Sequence, residues 1–152
     1  MNNVSVRGAF VRDFSPAEAV REVQGLRAPF PEGHSQTPYA RIASVRRTIA
    51  ARADRKRIFS AGLFSDPAWD MLLELYVASL AQRRLQISRL MERTGVPGTT
   101  TLRWIAVLEK EGLIQRQSDR LDARLVLLSL TEEGRKGMDA YFDMLPADTA
   151  VL

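Results

Sequence analysis

Cysteine is absent from this 152-residue chain, and histidine occurs once, as His34. The first absence excludes disulfide scaffolds, thiol catalysis, iron–sulfur clusters and cysteine-based redox sensing together. The second removes most zinc and imidazole chemistry. His34 sits in a proline-rich stretch without a second metal-type residue beside it, so a solvated loop histidine and no metal site are expected. No apolar run reaches the roughly 18 residues needed to cross a bilayer, and no spanning segment is expected. The opening MNNVSVRGAF lacks the continuous apolar stretch of a secretory signal. Phosphate-cradling glycine loops, paired-histidine metal motifs and serine-centred elbows are also missing. The carboxylates of Glu132 and Glu133 suit the start of a helix better than acid–base catalysis. The expectation is a non-enzymatic, cytoplasmic chain that needs no cofactor.

What the chain does have is an uneven charge. The formal net charge is only +4. Residues 41–60 nevertheless carry seven basic groups against Asp54 alone. A concentrated basic segment suggests an anionic partner, with nucleic acid first, although a solvated helix face is the plain alternative.

Residues 1–40 hold four of the seven prolines and read as an arm. A short helix is expected from Ser15, with Pro16 at its first position and Glu18 completing a capping box, followed by an irregular linker. From Arg41 to about Phe59 the spacing of Ile42, Val45, Ile49 and Ala53 predicts a helix with one narrow apolar stripe. The remaining faces would be arginine, with Arg46, Arg47, Arg52 and Arg55 available for phosphate. Asp66-Pro67 is a strong helix start. Trp69, Leu72, Leu73, Tyr76, Val77 and Leu80 then form the wide apolar face of a central helix.

A short extended piece at 85–87 leads to a helix from Ser88 to Thr94, stopped by Gly95 in the left-handed conformation. A second helix is expected from Thr99 to Gly112. Two short helices joined by a tight glycine-containing turn make a helix-turn-helix. Strand character at 113–117 and again at 124–130, around the polar turn 118–123, predicts a β-hairpin. Thr131 caps a closing helix that stops at Pro146 and carries Met138, Tyr141, Phe142 and Leu145, an apolar face expected to join residues 1–60 in a dimer contact. The expected fold is mainly α with a small β-wing: a winged helix-turn-helix over 61–145, preceded by the basic helix 41–60 and the arm 1–40, and followed by a tail at 146–152.

In the second helix, Leu102, Ile105 and Leu108 are expected to face the core, with Trp104 packing against the wing. Thr99, Thr100, Arg103, Val107 and Lys110 fall on the other side. An arginine can bridge the O6 and N7 of guanine, threonine hydroxyls can bond phosphates or base edges, and valine can meet a thymine methyl. A surface ion pair for Arg103 and an idle exposed Val107 are the structural alternatives. Ser88 is explained equally by a phosphate contact and by capping its own helix.

The segments Leu102-Arg103-Trp104-Ile105 through Leu108-Glu109-Lys110-Glu111-Gly112-Leu113-Ile114, the wing Asp119-Arg120-Leu121-Asp122-Ala123-Arg124, and Leu128-Ser129-Leu130-Thr131-Glu132-Glu133-Gly134-Arg135 carry a resemblance. Together they resemble the recognition helix, wing and junction of MarR-type transcriptional regulators, over about half the chain. The resemblance implies a bacterial, homodimeric regulator of double-stranded DNA, with Thr99, Thr100 and Arg103 facing the major groove. It implies Arg120 and Arg124 near the minor groove, with Asp122 holding Arg124. A small-molecule effector is left open. Ala106, Val107 and Ala123 replace residues that are often charged in the family. Near-neutral charge across the wing region, together with Ala106 and Val107, favours the competing reading, a winged-helix protein–protein interaction module whose basic helix 41–59 binds an acidic partner.

Overall fold

The computed structural model describes residues 36–145. The helix expected from Ser15, the loop around His34 and the stop at Pro146 lie outside them. In chain order the elements are helix α1 (Pro38–Ile58), a 3-10 turn (Ala61–Phe64), α2 (Pro67–Leu80), β1 (Leu85–Gln86), α3 (Ile87–Thr94), α4 (Gly98–Lys110), β2 (Ile114–Ser118), β3 (Val126–Leu130) and α5 (Glu132–Asp143). The three strands form one antiparallel sheet in the order β1-β3-β2, with Leu85 opposite Leu128 and Ile114 opposite Leu130. This is a winged helix: α3 and α4 are the helix-turn-helix, and β2 and β3 the wing.

The local signals act as their chemistry requires. The Asp66 carboxylate accepts from the Trp69 N–H at 3.2 Å with Pro67 beside it, which fixes the start of α2. Gly95 at φ 65° ends α3, and Gly112 at φ 72° turns the chain out of α4 into the wing. α2 is the central helix, with Met71, Leu73, Leu75 and Tyr76 essentially inaccessible. Around it pack Leu90 of α3, Ile105 and Leu108 of α4, Ile114 and Leu128 of the sheet, and Met138 and Phe142 of α5. The Tyr76 hydroxyl donates to Asp139, and burial followed by that carboxylate's charge pushes the phenol pKa well above its ordinary value.

Four expectations change. α1 begins three residues before Arg41, because Thr37 caps it and Pro38 is suited to its first turn. Its inward face is Arg41, Val45, Thr48 and Arg52, with Ile42 and Ile49 half-buried and Ala53 exposed. The reason is charge pairing: Arg41 meets Asp143, while Arg52 and Lys56 both meet Asp70. Ser88 is not a cap, since pairing of Gln86 with Leu127 carries the strand directly into a helix that starts at Ile87. The apolar face of the closing helix needs no second subunit, because Met138 and Phe142 are buried in this chain's own core. Tyr141 packs edge-on against Trp69, with ring centroids 4.7 Å apart.

Candidate nucleic-acid interface

α4 begins at Gly98, one residue before the expected Thr99, with Pro97 at the cap position. No side chain caps this end; the Thr101 side chain ties it to the turn instead. It is completely buried and its hydroxyl donates towards the Val96 and Pro97 carbonyls, at 3.2 and 3.1 Å. Gly98 lies close to α3, since a Cβ there would come 2.9 Å from the end of the Met91 side chain, which is free to shift aside.

The buried stripe of α4 is Thr101, Ile105 and Leu108. Leu102, expected inside, is 50% exposed. At about 100° per residue, positions 101, 105 and 108 stay on one line, whereas 102 drifts off it by 108. Opposite the core lie Thr99, Leu102, Arg103, Ala106, Val107 and Lys110, all exposed, with Thr100 half-buried beside them. Arg103 makes no ion pair among the described residues, and its guanidinium lies 5.9 Å from the Trp104 ring centre. Lys110 likewise has no carboxylate partner there. Glu109 sits on the flank and is held by Arg116 of β2 at 3.0 Å. Trp104 is half-buried against the hydrophobic core. The first turn of α4 carries no acidic residue, so its free N–H groups and partial positive charge are unopposed.

The wing tip is held by its aspartates. Asp119 accepts from the Leu121 and Asp122 N–H groups at 2.7 and 3.2 Å. Asp122 accepts from the Arg124 backbone at 3.1 Å and from its guanidinium twice, each at 2.9 Å. Those bonds hold the Asp122 carboxyl below the usual carboxylate range and raise the Arg124 guanidinium further. Arg124 is thus oriented while its side chain stays 89% exposed. Arg120 is exposed and makes no ion pair among the described residues, and Leu121 beside it is 99% exposed.

The remaining expected residues divide. Ser88 is exposed at the second position of α3, and Arg46 and Arg47 are exposed on α1. Arg52 is not available to phosphate: it is 5% exposed, with its Nε 2.7 Å from Asp70. Arg55 is half-buried over the Phe64 ring, 4.7 Å from its centre. Sequence reasoning missed Leu102 on the open face and Arg116 as the neutraliser of Glu109.

No family model matches this sequence, and neither does any curated protein. Solved structures similar to it include the PcaV transcriptional regulator from Streptomyces coelicolor with its natural ligand, at 28% identity, 50% of this chain, 51% of that chain and TM-score 0.44. A probable transcriptional regulator from Pseudomonas aeruginosa shows 28% identity, 50% and 55% coverage, and TM-score 0.44. The S. aureus MepR–DNA complex shows 25% identity, 61% and 72% coverage, and TM-score 0.47. The chain spans about half the length of the first two. Among the solved structures that this winged helix is similar to are MarR-type transcriptional regulators.

Proposed function

We propose that this chain is a sequence-specific DNA-binding transcriptional regulator of MarR type. α4 enters the major groove, and the wing turn 118–124 lies along the flanking minor groove. A homodimer places two such helices in successive major grooves about one helical turn apart. The observation that carries this reading is the open face of α4, where Arg103 and Lys110 have no carboxylate partner among the described residues and Thr99 and Thr100 lie in the first turn. Arg103 reads a guanine edge, and the threonines hold phosphate or base edges. Arg120, Arg124 and Ser88 add backbone contacts, and Arg46 and Arg47 extend the positive field. Regulation by a small molecule remains compatible with this arrangement, and the site needs no metal or cofactor.

The acidic-partner alternative loses ground on one fact. Arg41, Arg52 and Lys56, three of the seven cations between residues 41 and 60, are already paired with Asp143 and Asp70 inside the chain.

The test is Arg103→Ala, assayed on duplexes selected from a random pool by the intact protein. Binding to the selected site is expected to weaken by about 1–3 kcal/mol, with base preference relaxed at one position. Unchanged affinity and preference would overturn the assignment.

A further inference from the structure

The face of α4 that we assign to DNA is not uniformly polar. Leu102 is 50% exposed and Val107 38% exposed, and Ala106 between them is exposed as well. At helical spacing Leu102 and Ala106 are neighbours, as are Arg103 and Val107. The three apolar side chains therefore surround Arg103. They can donate and accept no hydrogen bonds, so in a groove they contribute only by covering apolar surface. The major groove presents one apolar feature of its own on a base pair, the C5-methyl group of thymine. No carboxylate stands among these residues, because Glu109 on the flank is tied to Arg116 at 3.0 Å. The cations Arg103 and Lys110 on the same face bring an anionic duplex against it.

Resting on the DNA-binding reading above, we propose that Leu102, Ala106 and Val107 form a methyl-reading surface that selects thymine on either side of the guanine read by Arg103. A hydrogen-bond reader would distinguish bases by donor and acceptor pattern. This surface distinguishes thymine from uracil, which pair identically and differ by a single methyl group.

The test uses the duplex selected by the intact protein and a copy with each thymine near the selected guanine replaced in turn by uracil. Burying one methyl against protein corresponds to about a fourfold change in affinity. The wild type is expected to bind the uracil copy about fourfold more weakly at two or more positions. In the Leu102→Ala, Val107→Ala double variant, which keeps only alanine methyls on this face, the thymine-to-uracil ratio should fall at each such position. Both positions are on the solvent side of α4, so thermal melting of the variant reports directly whether the fold is retained. Equal affinity of the wild type for both duplexes overturns the methyl-reading surface and leaves the DNA-binding assignment standing. Failure of the protein to select any duplex overturns that assignment, and the methyl-reading surface falls with it.

Discussion

Replacing Asp70 with alanine is expected to destabilise the protein by about 3–5 kcal/mol, the range seen when one partner of a buried ion pair is removed. The Asp70 side chain is 10% exposed and meets two cations, Arg52 and Lys56. Arg52 has little access to solvent, its side chain being 6% exposed. The remaining carboxylate near it, on Asp66, lies 3.9 Å away and is more than half exposed. Removing Asp70 thus strands a guanidinium between α1 and α2. Urea unfolding measures the loss directly. Adding Arg52→Met to the Asp70→Ala chain should recover much of it, because a pair replaced by apolar groups no longer buries an unpartnered charge. No recovery would show that the carboxylate acts through something other than Arg52.

Gly134→Ala carries the second large effect. A Cβ at this position would lie 2.0 Å from the Leu113 carbonyl oxygen, which is backbone and cannot swing aside. That carbonyl already accepts from the Thr131 N–H at 3.0 Å, and the Thr131 hydroxyl donates to the adjacent Gly112 carbonyl while accepting from the Gly134 N–H. The exit of α4, the start of the wing and the start of α5 are therefore clasped at one point. We expect a loss of about 3 kcal/mol in thermal or urea unfolding, the upper range for overpacking. Gly137→Ala, in the same helix with nothing within 4 Å, serves as the control. It should leave stability unchanged or raise it by up to about 1 kcal/mol. Equal effects at the two glycines would contradict the clasp.

The parts of this fold that were legible in the sequence are those governed by neighbouring residues. Asp66-Pro67, Gly95, Gly112 and Thr131 announce helix ends because each acts locally: Asp66 and Thr131 accept from N–H groups three residues on, and the glycines admit a positive φ. The Asp122–Arg124 bond spans two residues, and the resemblance to MarR-type wings pointed to it. The buried arginines were not legible, since a periodicity argument assigns arginine to solvent. Their partners lie far along the chain: Asp70 is 18 residues from Arg52, and Asp143 is 102 residues from Arg41. Leu102 was misassigned for a related reason. Hydrophobicity favours leucine over threonine for the core, yet Thr101 satisfies its hydroxyl locally on Val96 and Pro97. Its position, rather than that of Leu102, is in phase with Ile105 and Leu108. The expected site residues of the second helix thus fall on α4, while the make-up of its open face required the helix phase.

On the proposed reading the open face of α4 enters the major groove with Arg103 on a guanine. Chemical methylation of guanine N7, an atom exposed in that groove alone, tests it most directly. On the selected duplex the wild type should protect guanine N7 at two positions about one helical turn apart, and Arg103→Ala should lose that protection. A duplex that is bound tightly while every guanine N7 stays reactive would contradict the account.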